Sequence, residues 1–301
     1  MTRARRSWPL HCRAALIAAI EVAAKQFPHP GADGAERIHD VRKTLKQAAG
    51  LSRLFIPLIG PPAAEALKTI NATRRRVGRA RDLDILPGVL ARLEGVDETR
   101  ELLLGIIAEQ REAERRAHGE TNGAGVSAQL RALAQSVERW GVEDAGAATL
   151  LGAVRRTYRA ARRLGGRALP SRDAEAMHAL RVRVVDLTHQ LQVFEAAWPD
   201  LFQATIRELH RLRRTLGDHN DLVVLGDFAG GRPELPAGAA EALDAAIARR
   251  RRPLERRAQA QFARLFAERA GAFERRIASY LEHPQHKPGR STPAGFRGSE
   301  I

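Results

Sequence analysis

His39, Arg42, Lys46 and Arg53 follow one another at separations of three, four and seven residues. On a helix turning about 100° per residue, those separations place all four within a sector of about 60°. Lys68, Asn71, Arg75, Arg79 and Asp82 form a second row of similar width further along. Guanidinium groups present planar forks of donors that match phosphate oxygens two at a time, so arginines on neighbouring helix faces make a track for a phosphate-bearing anion. A histidine among them can donate to the same anion and gain charge beside it, or can pin two helices together. Rows of charge are ordinarily solvated faces laced with ion pairs. Here few acids stand four residues away to neutralise the cations.

The rows also recur. With the chain shifted by 139 residues against itself, Glu36 falls on Glu175, His39 on His178, Arg42 on Arg181, Phe55 on Phe194, Arg74-Arg75 on Arg213-Arg214, Gly78 on Gly217 and Asp82-Leu83 on Asp221-Leu222. A shift of 141 then aligns Leu102 with Leu243 and Glu114-Arg115-Arg116-Ala117 with Glu255-Arg256-Arg257-Ala258. Two related halves are expected, about 4–142 and 143–282, packed with pseudo-twofold symmetry. The second half's rows read His178, Arg181, Val185 and Gln192, then Arg207, His210, Arg214, Asp218 and Asp221. Cations outnumber acids more strongly in the first pair of rows, so by charge count the first half is expected to dominate anion binding. Arg183, Arg211, Arg213 and the run Tyr158 to Arg163 can add to the second half's share if they turn towards the same groove. Asp82 and Asp221 are read as caps or arginine partners.

Helices must position these rows. Apolar residues recur with helical period through nearly every long segment, and no alternating strand run appears, so the fold class is all-α. Breaks are expected at Pro28 to Gly34, Gly60-Pro61-Pro62, Pro87-Gly88, Gly119 to Gly125, Gly141, Gly165 to Pro170, Trp198-Pro199, Gly217 and Gly230 to Gly238. From 283 to 301 the chain is rich in Pro, Gly and Ser and is expected to be a disordered tail.

Composition narrows the chemistry. The 301 residues carry a formal charge of +15, and 45 of the 50 basic residues are arginine. An excess of one sign attracts polyanions at long range. The one cysteine, Cys12, excludes a disulfide framework and a cysteine-built zinc site. Neither half gathers carboxylates and histidines into a metal site, although Asp84 and Asp218 lie near the rows. No cofactor is expected. Phosphoryl transfer calls for a phosphate cradle and a positioned metal, and neither motif is present, so no enzyme is expected. Aromatic residues make up 5% of the chain, few for stacking nucleic-acid bases. The Ala14 to Ala24 stretch behind Arg3, Arg5 and Arg6 is interrupted by Glu21 and lacks a cleavage site, so an amphipathic helix is expected rather than an export leader. Neither it nor any other window is long and apolar enough for a membrane insertion, and a cytoplasmic protein is expected.

The segment Ile38-His39-Asp40-Val41-Arg42-Lys43, with Lys46, Arg53-Leu54-Phe55 and the run GRARDLDIL from Gly78, resembles the conserved-histidine α-helical domain, CHAD. The second half is similar through TYRAARR at 157–163, Met177-His178-Ala179-Leu180-Arg181 and LGDHNDLVVL at 216–225. The resemblance covers about residues 10–282. It implies two four-helix bundles around a basic groove that binds inorganic polyphosphate, in some members on polyphosphate granules. Carried onto this chain, the matching binding residues are His39, Arg42, Lys46, Arg75, Arg79, His178, Arg181 and Arg214, and the rows and basic runs add Lys43, Arg53, Lys68, Tyr158, Arg162, Arg207 and Arg211 as candidates. The Glu-x-Glu-x-Lys signature of the triphosphate tunnel domain sometimes fused to this family is absent. A nucleic-acid-binding helical protein is the alternative that the charge equally permits.

Overall fold

The computed structural model describes residues 7–27, 34–76, 79–117, 123–230 and 232–283, and every secondary-structure element among them is a helix. The segment 284–301 and the breaks at 28–33, 77–78 and 118–122 lie outside the described residues. Alanine, leucine, arginine and glutamate dominate the chain's long segments, and these are strong helix formers. The first half contributes α1 (Ser7–Gln26), α2 (Gly34–Ile59), α3 (Pro61–Arg76), α4 (Arg79–Leu90), α5 (Asp97–Ala117) and α6 (Gly123–Glu138). The second contributes α7 (Ala147–Ser171), α8 (Ala174–Gln192), α9 (Pro199–Gly230), α10 (Ala237–Leu265) and α11 (Ala270–Glu282), with a 3-10 turn at Glu195–Ala197. At the 139-residue shift, α9 spans the stretch that α3 and α4 divide between them.

Local chemistry sets several ends. Gly60 takes a φ of +72°, a left-handed conformation open to glycine, and its carbonyl accepts from Ala63 and Ala64 to start α3 behind Pro61. Asp173 caps α8, its carboxylate accepting from the Ala176 amide at 2.7 Å.

Two bundles carry the main core. In the first, α1 packs on α2 and α6, and α3 on α2 and α6. In the second, α7 packs on α8 and α11 and α8 on α9, while Trp198 and Phe202 set their rings against Tyr280 of α11. One core runs through both, from Trp8, Leu16 and Phe55 to Tyr158, Phe194 and Phe202. A smaller core lies beyond the bundles, where Leu86, Leu90, Leu103 and Ile107 of α4 and α5 meet Leu222, Leu225, Leu243 and Ile247 of α9 and α10. The stretch around Ala14 to Ala24 belongs to α1, with Leu16, Ile20 and Ala23 buried.

Several expected breaks are not breaks. α4 continues through Pro87-Gly88, α7 through Gly165 to Pro170, and α9 through Gly217. Glycine serves close packing here as well as turns. A side chain at Gly165 would overlap the Phe262 ring of α10, whereas Gly166 has open space around its missing Cβ. Gly165→Ala should therefore destabilise the fold by about 1–3 kcal/mol, as overpacking does, and Phe262→Leu should recover part of that. Gly166→Ala should stabilise by up to about 1 kcal/mol. Urea denaturation of the variants measures both, and equal effects at the two glycines would contradict this packing.

Candidate functional site

α2 and α8 cross very closely. A Cβ on Gly50 would sit 3.2 Å from His189 Cβ and 3.4 Å from the Asp186 backbone, and the Gln190 side-chain amide donates to the Gly50 carbonyl at 3.1 Å. Gly50 and His189 are the same position under the 139-residue shift. Equivalent residues touch one another where a twofold axis passes between two helices, so this contact lies where a pseudo-twofold relation of the halves would put its axis.

On one side of the crossing, three arginines converge on one carboxylate. Asp186 is 4% exposed, with Arg53 Nε 3.0 Å and Arg183 Nη1 2.9 Å from its Oδ2. Arg74 of α3 acts on the same group. Burial pushes the Asp186 carboxyl up from the ordinary range, against the pull of Arg53, Arg183 and Arg74. With two guanidiniums at salt-bridge distance, we treat it as a carboxylate. Burial likewise holds the Arg53 and Arg74 guanidiniums below their usual range, with Asp186 opposing.

On the other side, cations and imidazoles face one another. Arg213 of α9, half-buried, is lowered first by burial and then by Arg181 and Arg214. His210 is pushed down to about 4 by burial, with Arg213, Arg214 and Lys43 of α2 acting in the same direction. Buried His189 also falls to about 4, chiefly through burial, with Arg213, His210 and Lys46 adding to it. Its Nδ1 donates to Gln192 Oε1 at 2.9 Å, which opposes the fall. Three helices thus bring Lys43, Lys46, His189, His210, Arg213 and Arg214 into one electrostatic neighbourhood. A cluster of like charge with neutralised imidazoles is poised for an anion.

The sequence-derived residues distribute unevenly around this cluster. Arg181 lies over Gly217, where a Cβ would come within 3.5 Å of its guanidinium, so that glycine leaves room for the arginine. His178 is exposed, and its Nδ1 donates to Asn220 Oδ1 of α9 at 2.7 Å. Arg42 and Lys46 are half-buried on α2, while Lys43, Arg75, Arg207 and Arg214 are exposed. Lys68 pairs with Glu65 at 3.5 Å and Arg211 with Glu208 at 2.5 Å, each within its own helix. The side chains of His39, Arg79 and Asp82 lie outside the described residues.

One assignment needs correction. Tyr158 is 1% exposed, stacks on Phe273 with ring centroids 4.1 Å apart, and donates its hydroxyl to the Leu265 and Glu268 carbonyls. A ring so enclosed contributes to the core and cannot contact a polymer. Arg162 is exposed, and its Nε donates to the Phe266 carbonyl at 3.1 Å at the end of α10. Asp186, His189 and Arg74 were not singled out from sequence. An Arg at i and an Asp at i+3, as in Arg183 and Asp186, is a readable ion-pair signal. That the pair is buried against α2 is not readable.

Among the described residues, no three of His, Cys, Asp and Glu are arranged to hold a metal ion. Asp84 instead pairs with Arg111 at 2.6 Å. No helix among them is long and apolar enough to cross a membrane.

The family model of the CHAD domain matches residues 14–230. A crystal structure of the CHAD domain from the plant Ricinus communis is similar in fold, with a TM-score of 0.55 and 24% identity over 94% of this chain and 93% of that one. No curated protein matches the chain. The matched residues include both members of the close helix crossing and the cations on either side of it, and the likeness in fold extends over nearly the whole chain: this protein belongs to the CHAD family.

Proposed function

We propose that the chain binds inorganic polyphosphate without turning it over, through the cation cluster where α2, α8 and α9 meet. The observation that carries this reading is that Lys43 and Arg214 are exposed beside half-buried Arg213 and His210, on which burial acts first and the positive charges of Arg181, Arg214 and Lys43 act next. Each internal phosphate of the polymer brings one negative charge and oxygens that accept from guanidinium forks. A chain of them can satisfy Lys43, Arg213 and Arg214 together. The family likeness supports the same ligand, and with it an association with polyphosphate granules in the cytoplasm.

Nucleic acid shares the charge but adds bases, which proteins hold by stacking on exposed rings. Among the described residues, the exposed large apolar side chains are Leu10, Val22, Leu102, Leu104 and Leu201, none of them aromatic. That favours a polyanion without bases. The cluster offers donors and positive charge, the requirements of binding, and its imidazoles are held neutral.

The variant Lys43→Gln/Arg213→Gln/Arg214→Gln should lose at least about a hundredfold in polyphosphate affinity, since each charge-assisted contact contributes about 1.5–3 kcal/mol. Its salt slope should become shallower by about one for each cation that contacts phosphate. Affinity for long-chain polyphosphate should exceed that for RNA at the same salt, and chain length should stay unchanged on incubation with magnesium. Unaltered binding by the variant, preference for RNA, or shortening of the polymer would each contradict the proposal.

pH dependence follows from the histidines. The folded-state pKa values of His189 and His210, about 4, lie below the ordinary 6.5. Their neutral forms stabilise the fold fully above pH about 6.5, and that stability is lost as pH falls towards 4. A bound polyanion favours the imidazolium and opposes this loss. The thermal midpoint should therefore fall between pH 7 and 5 in free protein and fall less with polyphosphate bound. His210→Gln should shrink the difference between the two melting series.

A further inference from the structure

The two sides of the α2–α8 crossing present the same kind of cation and differ in what neutralises it. Arg74 and Arg213 are equivalent under the 139-residue shift, and both are half-buried. Arg74 lies within electrostatic reach of Asp186 of the opposite half's helix α8. The position equivalent to Asp186 in α2 is Gln47, which carries no charge. Arg213 accordingly feels Arg181 and Arg214, while Arg74 feels a carboxylate as well as Arg75 and Arg183.

We propose that Asp186 is a built-in counter-ion that takes, beside Arg53, Arg74 and Arg183, the place an external phosphate takes beside Arg213 and Arg214, so that one side of the crossing is closed to the polyanion and the other is open. This rests on the polyphosphate reading for the nature of the external anion. The geometry supports the substitution of one anion for the other. The Asp186 carboxylate oxygen stands at ion-pair distance, 2.9 and 3.0 Å, from two guanidinium nitrogens, the separation a phosphate oxygen would take there. Being 4% exposed, it has already exchanged water for those arginines and leaves little for a competing anion to gain. Arg53 and Arg183 each keep 25% of their side-chain surface exposed, so an anion could reach them were the carboxylate neutral. The first half's lead in the charge count from sequence is thereby reduced, because its Arg53 is paired internally.

The test is a rescue. In the Lys43→Gln/Arg213→Gln/Arg214→Gln background, adding Asp186→Asn should restore polyphosphate binding by at least about tenfold, because Arg53, Arg74 and Arg183 then lack their counter-ion. A folded quadruple variant that binds no better than the triple would overturn the proposal. Asp186→Asn leaves three cations together and could impair folding, so a second variant replaces the ion cluster by apolar residues, Arg53→Met/Arg183→Met/Asp186→Leu, a change often neutral for stability. It should keep the affinity of the unaltered protein within about threefold, and a tenfold loss would show that Arg53 and Arg183 contact the polymer. Failure of the polyphosphate reading has a different signature: the unaltered protein would bind no polyphosphate, while the single Asp186→Asn variant would still gain a larger rise in thermal midpoint with inorganic tripolyphosphate than the unaltered protein does.

Discussion

The close approach of α2 and α8 at Gly50 is the constraint on which the remaining architecture depends. With no side chain at position 50, the Asp186 and His189 segment of α8 comes within van der Waals contact of the α2 backbone. An alanine there would require the His189 and Asp186 segment to give by a few tenths of an ångström, and a larger side chain would require more. The Gln190 amide bonded to the Gly50 carbonyl fixes the register as well as the distance. Because the touching residues are equivalent in the two halves, residues on either flank come from opposite halves. Arg53 of the first half meets Asp186 of the second, and Lys43 of the first meets His210 of the second.

That arrangement places charge where water is scarce, and burial decides what each charge does. A carboxylate taken out of water is retained when guanidiniums surround it, and removing one partner of such a set is far more disruptive than replacing the set. Imidazoles among guanidiniums give up their protons instead. The same crossing therefore holds a self-neutralised cluster on one flank and an electropositive one on the other. On the proposed reading, the electropositive flank lowers the stability of the free protein and makes it responsive to an anion, a trade common at binding sites. The apolar cores of the two bundles and the smaller α4–α5–α9–α10 core supply the stability that offsets it.

Much of this was legible in the chain because helical period and an internal repeat are local or self-referential signals. The all-α class, the Gly60-Pro61 break, the family resemblance and the rows containing Arg181 and Arg214 could all be read in this way. Glycine was ambiguous for a physical reason. At Gly60 it permits a left-handed turn, while at Gly165 and Gly217 it permits Phe262 and Arg181 to approach, and nothing in the local sequence separates these uses. Tyr158 sits in a run of arginines yet turns to the opposite face, towards Phe273. The role of Asp186 depends on which side chains lie opposite it across the crossing, more than 130 residues away along the chain. A wheel drawn for one helix does not contain that information, which is why Arg53 read as an open cation and His210 as one member of a row.

The central claim is that a polyanion lies along the α2–α8–α9 flank and avoids the flank closed by Asp186. A crystal structure with a short polyphosphate bound tests this most directly. Phosphate oxygens should lie within hydrogen-bond distance, about 3 Å, of Arg213, Arg214 and Lys43, with the Arg53 and Arg183 contacts to Asp186 intact. Phosphates seated instead on Arg53 and Arg74, or on the outer faces of α5 and α10, would contradict it.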